Sequence, residues 1–261
     1  MGMITLMTDF GHTDSYVGVM KGVIAGISPL CRVIDLTHGI DPQAILAARF
    51  NLLASYSYFP AETIHVVVVD PGVGTQRVAL AAEVALPAGV QIIIAPDNGI
   101  LTGFAINKVM ALTNPDYWLD SQPSHTFHGR DIFAPVAAHL ANGVALDELG
   151  DEVSVADLMR LDIEDAIATP TGYSGSIQYI DHFGNLITNI PSQSLRAQSW
   201  QVNVGKYYGL PYHTTYGQTA PGTALALIGS HGYVEIAINN GHAAKALAAR
   251  VGDSVKLVYA D

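Results

Sequence analysis

A run of four valines, Val66 to Val69, constrains the fold of this chain more than any other stretch. β-branched residues without polar alternation are typical of a strand buried on both faces, as at the centre of a parallel sheet. The strand must end at Asp70-Pro71-Gly72, because proline lacks a donor and glycine adopts turns that other residues avoid. Asp70 then lies at the carboxyl end of a strand, where open α/β sheets bind ligands. Alternatively, Asp70 only caps a tight turn.

Strand-like and helix-like segments alternate on both sides of this run. The alternation favours an α/β domain with a largely parallel central sheet, which we assign to residues 1–167. Its first helix ends near Ser28, before Pro29. The other predicted elements are strands at Met3–Thr8, Arg32–Leu36, Val66–Val69, Val78–Val84, Gln91–Ala95 and Val109–Thr113, and helices at Gln43–Phe59 and Ile132–Ala141.

The pattern changes after residues 168–172, which have the proline and glycine content of a linker. Short runs with period-two alternation follow, separated by turn residues at short spacing. This predicts an all-β, barrel-like C-terminal domain of antiparallel strands over residues 171–261. The predicted strands are Tyr173–Ile180, Leu186–Ile190, Gln201–Val204, Thr223–Ile228, Tyr233–Ile238 and Ser254–Tyr259.

The charge balance argues against a nucleic-acid partner. The chain has 12 Lys and Arg against 23 Asp and Glu, whereas phosphate binding needs clustered positive charge. Its hydrophobic fraction of 49% indicates a large core, or apolar surface that meets another subunit. No apolar run reaches the roughly 18 residues of a membrane span, and the single Cys31 cannot form an internal disulfide. We therefore expect a cytoplasmic protein with no membrane partner.

Ionisable residues follow several of the predicted strands and precede one helix: Asp9, Asp70 with Arg77, and His128. A carboxylate, a guanidinium and an imidazole that converge on one crevice could bind and orient a water molecule. Taken alone, His128 also fits a structural hydrogen-bonding role. The chain lacks metal-ligand spacings and the GxGxxG, P-loop and GxSxG motifs, so we expect neither a metal nor a bound cofactor.

Two turns of the C-terminal half carry polar and aromatic residues at strand ends. A nucleoside would use an aromatic face and an amide there, while the ammonium of an amino acid would use a carboxylate. Alternatively, Phe183 belongs to the core and Asn185 is only a turn residue. The two turns are Asp181-His182-Phe183-Gly184-Asn185 and Ser230-His231-Gly232-Tyr233.

Six motifs occur in order along nearly the whole chain: Met7–Gly11, Val69–Gly74, Ala95–Gly99, Thr126–Asp131, Asp181–Asn185 and Ser230–Tyr233. Together they resemble the S-adenosyl-L-methionine (SAM) hydrolases. These adenosine-forming enzymes are also called SAM hydroxide adenosyltransferases and are related to the fluorinase and chlorinase. The resemblance implies metal-independent hydrolysis of SAM, by attack of activated water at C5′, with SAM as the substrate and no cofactor. It also implies a homotrimer whose sites lie at subunit interfaces.

The resemblance assigns roles to individual residues. It implies that Asp70, Arg77 and His128 activate the water, although it does not decide which of Asp70 and His128 takes the proton. It further implies that Asp9 binds the ribose hydroxyls. The other implied ligand-binding residues are Asp181 and Ser230 at the methionine end, Phe183 and Asn185 at the adenine, and Tyr16, Asn98, Phe127, Tyr216 and His231 elsewhere in the pocket.

The chain departs from the fluorinase pattern at several positions. His231 stands where the fluorinase has an arginine, and Gln43 stands where it has a tryptophan. The fluorinase also lacks the acid at Asp70 and the imidazole at His128, and a carboxylate would repel an incoming halide. The alternatives to a hydrolase are a halogenase of the same fold and a non-catalytic SAM or adenosine sensor. A sensor need not keep three water-handling groups.

Overall fold

The computed structural model describes residues 2–87, 89–196 and 199–260. It divides into two compact units, Met1–Leu161 and Asp162–Asp261. The N-terminal unit contains strands β1 (Met3–Thr8), β2 (Arg32–Thr37), β3 (Ile64–Val68), β4 (Ala79–Leu86), β5 (Gly89–Pro96) and β6 (Ile106–Ala111), and helices α1 (Tyr16–Ile27), α2 (Ile45–Ser55) and α3 (Ala134–Ala141).

Strand β3 lies inside the N-terminal sheet, whose order is β2-β1-β3-β5-β4-β6. The first four of these strands are parallel neighbours, and β4 runs antiparallel to β5 and β6. Val66 packs in one core cluster with Met20 of α1, while Val67 packs in another with Leu52 of α2. Because successive strand residues point to opposite faces, helices cover both faces of the sheet. The predicted α/β fold with a largely parallel sheet is confirmed.

Several element boundaries differ from the prediction. Helix α2 begins at Ile45 rather than Gln43, because Gln43 has a left-handed backbone (φ 67°) that cannot continue into a right-handed helix. Strand β6 begins at Ile106, three positions before the predicted start at Val109. The helix predicted from Ile132 starts as a π-helical turn at Gly129–Phe133, which α3 continues.

The C-terminal unit contains an antiparallel sheet of order β11-β10-β14-β8-β9-β13-β12, with β7 paired to β8. An isolated bridge between Tyr212 and Ala226 connects the two ends of this order, so the sheet is nearly a closed barrel. The predicted all-β, barrel-like fold is confirmed. Its elements are β7 (Ile167–Thr169), β8 (Gly172–Ile180), β9 (Leu186–Pro191), β10 (Trp200–Val204), β11 (Tyr207–Pro211), β12 (Ala224–Ile228), β13 (Tyr233–Ile238), the short helix α4 (Ala243–Leu247) and β14 (Ser254–Tyr259).

The sequence prediction missed strands β7 and β11. The segment at 168–172 is not an open linker, because Ile167–Thr169 pairs with β8 through a tight turn at Pro170 and Thr171. Strand β11 contains Gly209 with φ +70°, which breaks the period-two pattern and accompanies a shift in register against β10. In the part of the chain that the structure describes, the helices are too short or too polar to cross a membrane.

Candidate active site

A cavity of about 300 Å³ opens where β1 and β3 end in the N-terminal unit. Asp9 directly follows β1, Asp70 lies two residues after β3, and His128 lies just before the π-helical turn. Neighbouring parallel strands end at the same edge of a sheet, which brings the first two residues together. The cavity is lined by Asp9, Phe10, Pro42, Gln43, Val68, Asp70, Pro71, Val73, Thr126, Phe127, His128 and Gly129.

Two reverse turns bring Arg77 back beside Asp70. The Asp70 carbonyl accepts the N–H of Val73 at 3.2 Å, and the Gly72 carbonyl accepts the N–H of Thr75 at 3.1 Å. The Arg77 Nε then donates to both oxygens of Asp70, at 3.0 and 2.9 Å, and its Nη2 donates to Oδ2. The two side chains are only 8% and 4% exposed. Multiple hydrogen bonds of this kind are what allow an ion pair to remain buried.

His128 completes this group. The Arg77 Nη2 also donates to His128 Nδ1 at 2.8 Å, and the guanidinium carbon lies 5.3 Å from the ring centre of Phe133. Burial, followed by the positive charge of Arg77, lowers the pKa of His128 below its ordinary value. The imidazole is therefore neutral at pH 7. The structure thus places the carboxylate, guanidinium and imidazole singled out in the sequence in one hydrogen-bonded group, at a cavity that Asp70 and His128 line.

Gly74 allows the two segments that carry this group to approach each other. It has a left-handed backbone (φ +74°), and a Cβ at this position would overlap the carbonyl oxygen of His125. Residues with a side chain would therefore push the turn at 70–77 away from the loop that carries His128. The second glycine of the Gly-Val-Gly sequence is therefore needed for this close contact.

Asp9 and an aromatic cluster form the other side of the cavity. The Asp9 Oδ2 accepts the backbone N–H of Gln43 at 2.8 Å. The rings of Phe10, Tyr16 and Phe127 pack in a triangle with centre-to-centre distances of 5.6, 5.8 and 5.1 Å. Phe10 and Phe127 line the cavity, whereas Tyr16 contacts both rings, is 48% exposed and is not among the described residues that line the cavity.

Asn98 is not among the described residues that line the cavity. Its side-chain amide donates to the carbonyl of Val69 at 2.8 Å, and its Oδ1 accepts the N–H of Ile100 at 3.3 Å. Asn98 therefore fixes the backbone at the residue immediately before Asp70.

In the C-terminal unit, the turn between β8 and β9 holds Asp181 and Asn185 together. The Asp181 Oδ1 accepts the backbone N–H of Asn185 at 2.8 Å, and Oδ2 accepts the side-chain amide of Asn185 at 3.0 Å. Phe183, between them, is 72% exposed, so the alternative that it belongs to the core is wrong. An exposed aromatic ring beside an amide offers a stacking face.

A buried carboxylate that the sequence analysis did not single out, Glu235, connects Tyr216 with His231. The Tyr216 hydroxyl donates to Glu235 Oε1 at 2.7 Å, and His231 Nε2 lies 3.2 Å from Oε2. Burial, followed by the hydrogen bond to Glu235 and the charges of Glu235 and Asp181, raises the pKa of Tyr216. Ser230, beside His231, is exposed. The only sequence signal for Glu235 is an acid inside the otherwise apolar strand Tyr233–Ile238.

Hydrogen bonds of the His231 ring indicate which nitrogen carries the proton when the ring is neutral. Its Nδ1 accepts the N–H of Tyr233 at 3.2 Å, so the proton of the neutral ring lies on Nε2, towards Glu235. Among the described residues, no group of three or more His, Cys, Asp or Glu is arranged to hold a metal ion.

The N-terminal unit thus holds a carboxylate, a guanidinium and a partly buried imidazole in one group at a cavity, an arrangement that can bind and orient a polar nucleophile. Comparison with protein families gives the specific assignment. Residues 4–150 match the SAM hydroxide adenosyltransferase N-terminal domain, and residues 175–256 match the C-terminal domain. The chain belongs to the SAM hydroxide adenosyltransferase family.

Similar proteins cover nearly the full chain. An (R)-S-adenosyl-L-methionine hydrolase of Salinispora tropica is 38% identical over 97% of both chains, and one of Thermus thermophilus is 36% identical over 99% of this chain and 100% of its own. A fluorinase of Actinopolyspora mzabensis is 26% identical over 98% and 96%. The crystal structure of an uncharacterized conserved protein from Thermotoga maritima aligns with a TM-score of 0.90 and 34% identity, over 98% of this chain and 100% of that one.

Proposed function

We propose that this enzyme hydrolyses SAM to adenosine and L-methionine by attack of water on C5′. The observation that carries the proposal is the Asp70–Arg77–His128 group at the cavity, in a chain that belongs to this family. Methionine leaves as a neutral thioether, so the leaving group needs no general acid. The difficulty of the reaction lies in the nucleophile, because bulk water has a pKa of about 15.7.

The hydrogen bonds of Arg77 favour Asp70 as the base. A guanidinium only donates, so the His128 Nδ1 that faces Arg77 carries a lone pair, and the proton of the neutral ring lies on Nε2. The Nε2–H of that ring can donate a hydrogen bond to water, but the lone pair on Nδ1 already accepts from Arg77 and cannot take a proton from the water. A carboxylate has about four lone-pair sites, so Asp70 can hold Arg77 and still accept a proton. Asp70 therefore takes the proton, while His128 orients the water.

The electrostatics of the cavity suit this chemistry. A hydroxide-like nucleophile and a sulfonium both lose charge as the new bond forms, so a desolvated site favours the transition state over the separated ions. Arg77 offsets the negative charge of Asp70 while the water approaches. The lowered pKa of His128 keeps the imidazole neutral, which avoids a third positive charge beside those of Arg77 and the sulfonium.

We assign the substrate contacts by the family resemblance together with the local geometry. Asp9 binds the ribose hydroxyls with the oxygen that Gln43 does not hold. Phe183 stacks on the adenine, Asn185 binds its edge, and Asp181 and Ser230 bind the methionine end. His231 supports Glu235 and Tyr216 rather than replacing the fluorinase arginine, because both ring nitrogens are already engaged.

We also infer a homotrimer, in which the N-terminal unit of one subunit and the C-terminal unit of its neighbour supply one site. The proposal rests on the family resemblance and on the division of the predicted ligand residues between the two units. A head-to-tail contact of this kind closes into a ring. A cytoplasmic location stays a prediction from the sequence.

The test is to incubate purified protein with SAM and to separate the products. We expect adenosine and methionine in equal amounts, and unchanged turnover in EDTA. Asp70→Asn should lower kcat by roughly 100-fold or more, the scale of a lost general base, with KM little changed. His128→Ala should also act mainly on kcat, whereas Asp9→Ala should raise KM, because it removes contacts made to the bound substrate. Methylthioadenosine as product, or inactivation by EDTA, would contradict the proposal.

The same assay separates the two rival functions. A halogenase would form a 5′-halo-5′-deoxyadenosine when chloride or fluoride is added, and a sensor would bind SAM without turnover. The relatives named as hydrolases are 30–38% identical to this chain, and those named as fluorinases are 26–28% identical. Together with the carboxylate of Asp70, this favours water over a halide.

A further inference from the structure

Asp131 carries a buried carboxylate that has no part in the proposed reaction. Its side chain is 4% exposed. Arg130 Nε donates to Oδ1 at 2.5 Å, and Arg130 Nη2 donates to Oδ2 at 2.9 Å. The Oδ2 atom also accepts the backbone N–H of Ser124 at 2.8 Å. A carboxylate removed from water is tolerated only with such bonds, so the contacts must hold it in one position.

These bonds close a loop around His128. Ser124 and Asp131 stand at the two ends of the loop, and His128 lies between them. Within the loop, the Phe127 carbonyl accepts the N–H groups of both Arg130 and Asp131, at 3.1 and 3.2 Å. The wide π-helical turn at Gly129–Phe133 begins here, and turns of this type are frequent at functional sites. The carboxylate therefore ties the start of the loop to the turn that follows His128.

The position of His128 matters because its partner comes from another segment. Its Nδ1 must face Arg77 at 2.8 Å, across the close contact of His125 with Gly74. A loop that could shift by an ångström would lose this hydrogen bond, and with it the orientation of the imidazole. The charged and titratable groups that act on His128 are Arg77, Asp70, Asp131 and His125.

We propose that Asp131 is a positioning residue for His128, which it holds against Arg77 by closing the loop from Ser124 to Asp131. The proposal rests on the proposed hydrolysis for its effect on turnover, but the orientation of His128 is measurable without turnover. Asp131 raises the pKa of His128 and Arg77 lowers it, so loss of the Asp131 charge and a loosened contact with Arg77 shift that pKa in opposite directions.

The test is Asp131→Asn, which has nearly the same shape but loses the charge that Arg130 and the Ser124 N–H bind. We expect kcat to fall roughly tenfold or more, the scale typical of groups that orient an active-site side chain, with KM within twofold. By NMR, the His128 imidazole, assigned by its absence in His128→Ala, should titrate at a changed pH, and its ring nitrogen shifts should show a mixture of tautomers in place of the one with the proton on Nε2, because the contact with Arg77 is loosened. A purely structural lesion would lower thermal stability without moving this titration.

Asp97→Asn is the matched control. The Asp97 carboxylate also accepts a backbone N–H from another segment, that of Met159 at 3.0 Å, but it does not act on His128. It should leave kcat and the His128 titration as in wild type. Arg130→Gln covers the case in which Asp131→Asn does not fold, because it loosens Asp131 from its more exposed partner; we expect a smaller loss of kcat at unchanged KM.

The proposal is overturned if folded Asp131→Asn keeps the wild-type kcat and His128 titration, or, where that variant does not fold, if Arg130→Gln keeps the wild-type kcat. The NMR titration needs no substrate. If the enzyme did not hydrolyse SAM, the proposed function would be contradicted, but the titration would still test the role of Asp131.

Discussion

Gln43 has a left-handed backbone, with φ 67°, although it has a Cβ. Such a conformation costs of order 1–3 kcal/mol and persists only where the surrounding structure enforces it; residues of this kind cluster at functional sites. Here the conformation turns the Gln43 N–H to Asp9 Oδ2 at 2.8 Å, at the edge of the cavity. The strain is therefore associated with holding one oxygen of Asp9, which leaves the other oxygen for a ligand.

Gln43→Gly should change stability and affinity in opposite directions. Glycine adopts positive φ without strain, so the free energy of unfolding should rise by about 1 kcal/mol. The N–H would also be less firmly directed at Asp9, and KM for SAM should rise several-fold. Thermal unfolding and steady-state kinetics measure the two effects.

Glu62→Gly provides the control, because Glu62 has nearly the same backbone angle (φ 66°) and does not line the cavity. It should gain similar stability with unchanged kinetics. An unchanged KM in Gln43→Gly would contradict a role of Gln43 in substrate binding.

At the scale of elements, a buried polar chain crosses the centre of the N-terminal sheet. His65 on β3 is 0% exposed; its Nδ1 contacts the Thr5 hydroxyl of β1 at 2.7 Å, and its Nε2 faces Gln91 Oε1 of β5 at 3.2 Å. The Gln91 amide donates to three carbonyls, those of Tyr56, Phe59 and Pro60, in the segment that follows α2. Burial lowers the pKa of His65 from 6.5 to about 4.

This shift predicts how stability depends on pH. Between pH 6.5 and about 4 the unfolded chain binds a proton at His65 that the folded chain does not, so stability falls as pH falls through this window. At about 1.4 kcal/mol per pKa unit, the loss approaches about 3 kcal/mol. The neutral variant His65→Gln should lose less stability over the same range. Urea unfolding of both proteins at pH 7 and pH 4.5 measures the difference, and equal losses would contradict the prediction.

The sequence predicts those features of the structure that depend on neighbouring residues. The valine run gives β3 because burial on both faces requires apolar residues at every position, and Pro71 with Gly72 marks the strand end. The start of α2 cannot be predicted from neighbouring residues, because the Gln43 N–H donates to Asp9, which lies 34 positions away in the sequence. The contact of Arg77 with His128 spans 51 positions. Sequence reasoning could name these residues as candidates, but only the fold brings them together.

Glu235 shows the same limit in the C-terminal unit. A single acid in an apolar strand indicates burial, but its partners Tyr216 and His231 are fixed by the pairing of β12 with β13 and by the turns at their ends. The family resemblance named both partners and omitted the carboxylate between them. Asp131 likewise belongs to one of the six motifs, but the sequence assigns it no role, because its bond to Ser124 depends on the fold of the loop.

At the scale of the whole molecule, the proposed trimer predicts complementation between two inactive variants. Asp70→Asn damages the N-terminal unit, and Asp181→Ala damages the C-terminal unit. If each site combines units from two subunits, some junctions of a mixed ring receive two intact units. With random mixing in equal amounts, about one quarter of the junctions are restored in a head-to-tail ring. We therefore expect about a quarter of wild-type turnover after the two proteins are unfolded and refolded together.

The control for this experiment mixes Asp70→Asn with His128→Ala. Both substitutions lie in the N-terminal unit, so every junction keeps one damaged catalytic group and activity should not return. Native mass spectrometry establishes that mixed oligomers have formed. If mixed oligomers of Asp70→Asn and Asp181→Ala are present and turnover stays at the level of the parents, each site is contained within one chain, because no exchange of units between subunits could then repair it.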